Sequence, residues 1–287
     1  MLLLTGSLAE NVLEAMSQIN LISKQISFID KSTFANLTNL FILDLSDNTL
    51  TYLDPSLFSS LIKLNYLFLS YNQLTRLDEP SLFSHLTNLQ SLFLNNNRLT
   101  SLNSSLFSNL RNLSLLSLHE NQLTWLDSSL FSNLKNLTLL HLGYNRLVSL
   151  DSALFSNLKN LRQLYLGYNN LTQLDDPLLF SNMQNLKNFF LGFNQLTSLH
   201  SSLLNNLTSL QQFSLSSNLL ASLDARTFFN LINLRFLYIS DNLLTKIDPL
   251  TFTNVHNTNL LQINLTGNPL TDVNSLCDAN SMCNIVF

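Results

Sequence analysis

The chain of 287 residues contains 74 Leu and 40 Asn, whereas charged residues make up only 11% of it and the formal net charge is −4. An apolar content of 46% supports a packed core and excludes an intrinsically disordered chain. The 5 Gly and 2 Cys exclude collagen-like and disulfide-dense scaffolds, and the weakly acidic charge argues against a nucleic-acid partner.

The first 35 residues are predicted to form degenerate N-terminal repeats. Apolar residues occur at Met16, Ile19 and Leu21, but Lys24 takes the place that Asn holds in the units that follow. Terminal repeats are commonly atypical because one of their sides faces water. The apolar start is too short for a secretory signal, so no signal peptide is expected in this chain. No stretch reaches the roughly 20 apolar residues of a membrane span, so no membrane insertion is expected.

Residues 36–273 contain a regular repeat. Leu64, Leu67, Leu69, Asn72 and Leu74 form the pattern Leu-x-x-Leu-x-Leu-x-x-Asn-x-Leu, which returns every 24 to 26 residues. One unit cannot bury its apolar face alone, so neighbouring units must stack. The marker asparagine occurs in ten units, at Asn48, Asn72, Asn97, Asn121, Asn145, Asn169, Asn194, Asn218, Asn242 and Asn268.

This pattern resembles that of the leucine-rich repeat proteins, in their typical 24-residue, extracellular-type form. The resemblance implies an α/β solenoid, a horseshoe with a parallel sheet on its concave face and short helical turns, 3-10 segments or loops on its convex face. It also implies that the marker asparagines form a ladder between neighbouring coils. We expect a single domain over residues 1–287, with a partial C-terminal cap over residues 274–287.

Two further columns have structural interpretations. A phenylalanine stands ten or eleven residues after the marker position and predicts a buried spine, in which Leu204 substitutes once. An aspartate stands six residues after the marker in most units, and we interpret it as an N-cap of a short helical turn rather than a calcium ligand. The spine comprises Phe34, Phe58, Phe83, Phe107, Phe131, Phe155, Phe180, Phe228 and Phe252, and the aspartates are Asp30, Asp54, Asp78, Asp127, Asp151, Asp175, Asp224 and Asp248.

Aromatic residues are concentrated at outward positions of the predicted strands. One column lies between the two strand leucines and the other directly before the marker asparagine. Because aromatic rings commonly anchor protein interfaces, these columns predict a concave ligand-binding patch. The alternative is that the rings only pack across strands and are shared through repeat duplication. The candidates are His141, Tyr144, Tyr165, Tyr168, Phe190 and Phe193, with Arg162 and Lys187 at the margin, and also Phe68, Tyr71, Phe93 and Tyr238. Gly143, Gly167 and Gly192 lie between the columns and predict a trough.

No enzymatic motif is present, so we expect no catalysis and no cofactor. The sequence has no glycine-rich phosphate loop and no nucleophile elbow. His119 and Glu120 share the predicted concave face with His141, at about 8 Å by strand geometry. That separation, without a third ligand, argues against a metal site, and each His is interpreted as a polar interface residue.

The C-terminal end resembles the caps of extracellular family members in its Asn268-Pro269-Leu270 opening. Cys277 and Cys283 follow, and a local disulfide is the preferred interpretation over free thiols. The family's usual cap has more cysteines, so a partial cap is expected. Seven Asn-x-Ser/Thr sequons occur, but a chain with 40 Asn would contain about as many by chance. The sequons therefore carry no information about compartment.

The resemblance implies a non-enzymatic binding module that recognises a protein ligand through its concave face, with a glycan as a further possible ligand. The expected location is extracellular or on the cell surface, as for receptor and adhesion ectodomains. Two alternatives remain open. One is a structural or matrix-organising protein that associates with itself, and the other is an intracellular scaffold or effector.

Overall fold

A computed structural model of the chain describes residues 16–252, 262–271 and 285–287. The chain forms two compact units, Met1–His141 and Leu142–Phe287. Each unit is a stack of coils in which one short strand per coil pairs in parallel with the strand of the next coil. No helix among the described residues is long and apolar enough to cross a membrane.

The strands are short because each coil contributes only the Leu-x-Leu part of its pattern to the sheet. The first unit contains β1 (Gln18–Asn20), β2 (Ile42–Asp44), β3 (Tyr66–Phe68), β4 (Ser91–Phe93), β5 (Leu115–Ser117) and β6 (Leu139–His141). The second contains β7 (Gln163–Tyr165), β8 (Asn188–Phe190), β9 (Gln212–Ser214), β10 (Phe236–Tyr238), β11 (Gln262–Asn264) and β12 (Ile285–Val286). From β2 to β11 the central residue of each strand is buried, because successive side chains alternate between the two faces. The predicted parallel-sheet solenoid is confirmed.

The predicted phenylalanine spine forms the core of the first unit behind the sheet. Phe34, Phe58, Phe83, Phe107 and Phe131 are buried, and neighbouring rings lie nearly parallel with centroids 6.1–6.5 Å apart. One ring per coil therefore repeats at the same place in every layer. The spine fills the space that the leucines of the strands leave open.

The spine of the second unit is interrupted at Leu204, and two phenylalanines on strands compensate. Phe189 and Phe213 take inward strand positions that Leu holds in other coils, and their rings stack at 5.3 Å. Phe189 contacts the spine ring of Phe180 edge-on at 4.8 Å, and Phe213 approaches that of Phe228 at 6.5 Å. At Leu204 the aromatic core is therefore formed by Phe189 on β8 and Phe213 on β9.

The segments behind the sheet are turns, within the expected range of short helical turns, 3-10 segments or loops. The only helix among the described residues is a 3-10 helix at Pro249–Phe252. The aspartate column closes these turns: the Asp30 carboxylate accepts hydrogen bonds from the backbone N–H and the hydroxyl of Ser32. These bonds, the side-chain one first, hold the pKa of Asp30 below its ordinary value. In two coils the prediction is wrong. Asp176 rather than Asp175 accepts the turn hydrogen bond, from the backbone N–H of Leu178, and Asp78 forms an ion pair with Arg76 instead.

The marker asparagines form the expected ladder between coils. Asn194 shows the arrangement: its Oδ1 accepts from the backbone N–H of Leu171 at 3.0 Å, and its Nδ2 donates to the carbonyls of Leu166 and Leu191 at 3.0 and 2.9 Å. The Leu171 and Leu166 groups belong to the preceding coil. A single buried amide thus satisfies backbone groups of two coils that would otherwise be unpaired.

Exposed asparagines form two additional ladders on the opposite side of the coils, which the sequence analysis did not predict. Each Nδ2 donates to a carbonyl 25 or 26 residues earlier. One ladder includes Asn109, Asn133, Asn182 and Asn206, and the other includes Asn88, Asn112, Asn136, Asn185 and Asn233. Three of the seven sequon asparagines are among them, so attachment of a glycan there would compete with a hydrogen bond between coils.

Candidate functional site

The face of each sheet that points away from the leucine core, here called the open face, carries the predicted site residues. Five side-chain rows cross it in the second unit, one residue per coil. For the coil of β7 these are Arg162, Gln163, Tyr165, Gly167 and Tyr168. Parallel pairing in register aligns each residue with its equivalent on the next strand, for example Tyr165 with Phe190. Repeated residues therefore become continuous rows.

Two aromatic rows run along the open face of the second unit. In the first row, the rings of Tyr165 and Phe190 stack with centroids 4.8 Å apart and planes within 3° of parallel. In the second row, Tyr144 stacks on Tyr168 at 4.0 Å and Tyr168 stacks on Phe193 at 4.1 Å. The second row remains 40–48% exposed. The structure thus brings together five of the six residues of the central predicted patch.

The second aromatic row lies on an unfavourable backbone conformation. Tyr144, Tyr168 and Phe193 have φ angles of 54°, 57° and 57°, in the left-handed region. Bulky residues rarely adopt this region, whereas Asn, Asp and Gly do so at lower cost. Equivalent positions in other coils are held by Asp47 and Asn96, among others. Local backbone energetics therefore do not account for the choice of aromatic residues here.

The glycines between the two rows do not leave an open trough. Gly192 is buried and Gly167 is half-buried. A Cβ atom on Gly167 would lie 2.9 Å from the carbonyl oxygen of Gly192, closer than real Cβ atoms approach. At this position glycine permits the close approach of neighbouring backbones, and the two aromatic rows border a shallow floor.

Polar and basic rows flank the aromatic ones. The hydroxyl of Tyr165 donates to Oε1 of Gln163 at 2.8 Å, and burial raises the pKa of this tyrosine, so its proton stays in place at neutral pH. Arg162, Lys187 and Arg235 form an exposed basic edge where the strands begin. The only ion pair among the described residues joins Arg76 and Asp78, so none of the three is neutralised by a described carboxylate.

Tyr238 is a further aromatic residue of the first row, but one strand without an aromatic residue in this row separates it from Phe190. It lies on β10, where its ring is parallel to that of Phe236 at 6.4 Å. The intervening strand β9 carries Ser214 in this row. The sequence places Ser214 in this column, which reads Tyr, Phe, Ser, Tyr, but the prediction from sequence gave the serine no role.

The first unit carries a smaller aromatic group. Phe68 and Phe93 stack at 4.7 Å with planes within 5° of parallel. Tyr71 is 57% exposed and has a φ angle of 55°. These three predicted residues therefore repeat the combination found in the second unit, a stacked pair in the first row and an exposed left-handed aromatic in the second.

Two histidines are in direct contact on the open face of the first unit. The ring centroids of His119 and His141 lie 4.2 Å apart, much closer than the separation of about 8 Å expected from strand geometry. That estimate was wrong because the two side chains lean together. The Oγ of Ser117 lies 2.7 Å from Nδ1 of His119. No cluster of three or more metal-ligating side chains occurs among the described residues.

Burial is the main factor that keeps this histidine pair uncharged at neutral pH. Desolvation, and then the charge that His119 would carry, lowers the pKa of His141 to about 4. Desolvation also lowers the pKa of His119, although Glu120 opposes the shift. At neutral pH the pair presents uncharged imidazoles to the open face.

Acidification is expected to destabilise the first unit through His141. Its pKa in the folded state, about 4, lies below the ordinary value of 6.5, so the unfolded state takes up the proton first. The contribution to stability is complete above about pH 6.5 and is lost as the pH falls towards 4. Allowing for solvent screening, we expect a loss on the order of 1–2 kcal/mol.

Urea denaturation at about pH 7 and pH 4.5 measures this loss. His141→Gln lacks the titrating group, so its midpoint should fall less on acidification than that of the unmodified chain. Carboxylates contribute equally to both proteins and cancel in the comparison. An identical fall in both proteins would show that His141 does not govern the acid response.

Cys277 and Cys283 lie outside the described residues, so the predicted disulfide stays a prediction.

Stacked coils with a parallel sheet, an asparagine ladder and an apolar spine define a repeat protein. The chain belongs to the leucine-rich repeat family. The family model described as "Leucine rich repeat" matches residues 14–74, 111–171, 135–186, 184–244 and 208–270. A second model, "Leucine Rich repeats (2 copies)", matches residues 62–107. A search of curated proteins by sequence gave no significant match.

Solved structures similar to this chain include two complexes and a leucine-rich repeat protein. TLR13 in complex with the single-stranded RNA ssRNA13 has a TM-score of 0.78 and 28% identity, over 93% of this chain and 38% of that chain. Toll of Drosophila, in its complex with Spatzle, has a TM-score of 0.78 and 30% identity, over 86% of this chain and 32% of that chain. A leucine-rich repeat protein of Leptospira interrogans has a TM-score of 0.74 and 25% identity, over 97% of this chain and 74% of that chain. The chain thus spans only about a third of the length of the TLR13 and Toll chains.

Proposed function

We propose that the chain is a non-catalytic binding module whose open face recognises a protein ligand. The observation that carries this proposal is the second aromatic row. Tyr144, Tyr168 and Phe193 occupy left-handed positions at a local energetic cost and remain 40–48% exposed. Strained, exposed side chains of this kind suggest a functional constraint. The structural neighbour Toll, whose structure was solved in complex with Spatzle, offers a precedent for a bound partner on this fold.

A protein partner fits this surface better than a nucleic acid. The rows consist of Tyr and Phe rings with Arg162 and Arg235 beside them, and aromatic residues and Arg are the types that protein interfaces favour. The neighbour TLR13 was crystallised with single-stranded RNA, but the present chain has a net charge of −4. A weakly acidic chain offers little of the excess positive charge with which proteins bind phosphate backbones.

Stacking restricts the motion of the aromatic side chains before any ligand binds. Tyr168 has a ring on each side, Tyr144 and Phe193, at 4.0 and 4.1 Å. Since the rings are already ordered, little side-chain entropy remains to be lost on binding. We therefore propose a rigid recognition surface on a secreted or cell-surface protein, in agreement with the extracellular-type repeat.

Replacing Tyr168 and Phe193 by Asn tests the proposal. Asn tolerates the left-handed conformation, so the free energy of unfolding should change by less than about 1 kcal/mol or should rise. A partner isolated from the native source and identified by mass spectrometry should bind the variant at least about 100-fold more weakly, as for the loss of two interface anchors. Calorimetry on the purified pair measures both affinities.

The matched control replaces two exposed aromatics away from the strands, Tyr52 and Trp125, by Asn. This control should bind the partner as the unmodified chain does. Unchanged affinity of the Tyr168→Asn/Phe193→Asn variant, with folding intact, would place the binding surface elsewhere.

A further inference from the structure

Both aromatic rows on the open face of the second unit stop at the same strand. Phe190 ends the stacked pair of the first row, and Phe193 ends the stacked run of the second. The next coil carries Ser214 and Ser217 at the equivalent positions, and Tyr238 on β10 resumes the first row. Both rows therefore lack an aromatic residue at β9, and the space above Ser214 and Ser217 is here called the gap.

The gap has the dimensions of one planar side chain. Strands β8 and β10 are two strand spacings, roughly 9.6 Å, apart. A ring placed midway would lie about 4.8 Å from Phe190 on one side and about 4.8 Å from Tyr238 on the other. The rings of Tyr165 and Phe190 are already 4.8 Å apart. A ligand ring at β9 would thus continue the existing stack at its own spacing.

The gap is open, and its hydroxyl groups are available. Ser214 and Ser217 are half-buried, and neither hydroxyl forms a hydrogen bond with the described residues. Oγ of Ser214 lies 3.3 Å from the position of a Cβ on Gly192, which places this hydroxyl beside the row of glycines on the open face. The gap can therefore accept an apolar ring and a hydrogen bond together.

The corresponding serine of the first unit shows that the position need not be open. Ser117 follows the stacked pair of Phe68 and Phe93 just as Ser214 follows Tyr165 and Phe190. Ser117 is only 4% exposed, however, and its hydroxyl contacts the ring of His119. The first unit has closed its gap with protein side chains, and the second has not.

The floor of the gap is rigid. Phe213, the inward residue of β9, is fully buried and stacks on Phe189 at 5.3 Å. A preformed recess of this kind loses little entropy when a ligand enters.

The charge beside the gap indicates what flanks the inserted ring. Lys187 and Arg235 lie on the coils of β8 and β10, directly on either side of β9, and no described carboxylate pairs with them. Gln211 separates them on the coil of β9, so the basic edge is interrupted rather than continuous. Two isolated cations suit single carboxylates of a peptide better than the closely spaced phosphates of a nucleic acid.

We propose that the gap at β9 binds one aromatic side chain of a partner protein segment that carries acidic residues on both sides of it. The aromatic ring continues the row between Phe190 and Tyr238, and the flanking carboxylates meet Lys187 and Arg235. This inference rests on the proposed function and assigns a partner chemistry to it.

A peptide titration followed by NMR tests the proposal on the whole chain. The probe is the capped pentapeptide Glu-Glu-Trp-Glu-Glu. It should shift the amide signals of Ser214 and Ser217 and bind at least about tenfold more tightly than the same peptide with Ala in place of Trp. Ser214→Phe fills the gap with a ring of the protein itself and should abolish this preference for Trp.

Two further variants make the result specific. Ser217→Tyr fills the second row and gives an independent test if Ser214→Phe folds poorly. Asn20→Phe is the control: it adds a ring at the equivalent place on β1 and should leave the preference for Trp unchanged. Lys187→Glu with Arg235→Glu should weaken the acidic peptide at least about tenfold and favour a Lys-Lys-Trp-Lys-Lys peptide instead.

Three outcomes would overturn the proposal: no preference for Trp over Ala, an unchanged preference in Ser214→Phe, or tighter binding of a ten-nucleotide oligouridine than of the acidic peptide. The isolated natural partner separates the two levels of inference. If it binds Ser214→Phe normally but not Tyr168→Asn/Phe193→Asn, the open face is the binding surface and the gap is not used. If neither variant affects it, both proposals fail.

Discussion

Asn194→Ala is expected to lower the free energy of unfolding by about 3–4 kcal/mol. The substitution removes the acceptor of the Leu171 N–H and the donor to the carbonyls of Leu166 and Leu191. All of these atoms lie in the buried interior, where water cannot replace the lost partner. Each unsatisfied buried polar group costs roughly 1–3 kcal/mol, so the effect exceeds that of an ordinary surface substitution. Urea denaturation monitored by circular dichroism measures it.

Asn206→Ala is the matched control. Its Nδ2 also donates to a carbonyl of the preceding coil, that of Ser181 at 2.9 Å, but this asparagine is exposed. Water can replace the bond, so the expected loss is below about 1 kcal/mol. Equal losses in the two variants would mean that burial of the inner ladder contributes nothing to stability.

Phe131→Ala is expected to cost about 3–5 kcal/mol. Phe131 is fully buried, and its ring stacks on Phe107 at 6.4 Å with planes within 10° of parallel. The substitution would open a cavity in one layer of the spine, and the neighbouring layers are held in register by the sheet, so the cavity can collapse only partly. The denaturation midpoint should fall accordingly.

Phe131→Leu should be tolerated much better, at a cost of roughly 1–1.5 kcal/mol. Leu204 already occupies this column in the second unit and is 1% exposed. If Leu proved as damaging as Ala, the ring itself, rather than the volume it fills, would be required at this place. The nearby substitutions of Phe189 and Phe213 in the second unit suggest that volume is what matters.

The layered core and the inner ladder could be predicted because the repeat restates them in every coil. The spacing of Leu67 and Leu69 fixes which residues face inward, since side chains alternate along a strand. Asn72 follows at a constant distance and returns in ten coils. A single coil would have left these assignments ambiguous. Because the pattern repeats, each assignment is supported by a whole column of equivalent residues rather than by one residue.

Features that depend on contact between coils were harder to predict. The left-handed φ of Tyr168 is not visible in its residue type, because tyrosine gives no signal for that conformation. The contact between His119 and His141 arises from the direction in which two side chains lean, which strand spacing alone does not specify. The aromatic core at Phe189 was equally hidden, since it compensates for a substitution in a different column.

The open-face site was predicted as a set of residues, but its organisation was not. Sequence identified Tyr165 and Phe190 as outward-facing aromatics, and the structure shows that they stack into a row. The significance of Ser214 came only from its place between two aromatic strands. The lack of an aromatic ring at Ser214 becomes informative only because the structure shows that the aromatic residues of neighbouring strands form a row.

The turns behind the sheet determine where the chain can change length. Three steps in the repeat are longer than 24 residues, and in one of them the turn is closed by Asp176 instead of Asp175, next to Pro177. The pairing of Leu164 with Phe189 across this longer coil is nevertheless in register. The additional residue at this place leaves the pairing of the strands unchanged. These turns are therefore natural points for grafting an additional loop onto the scaffold without altering the recognition face.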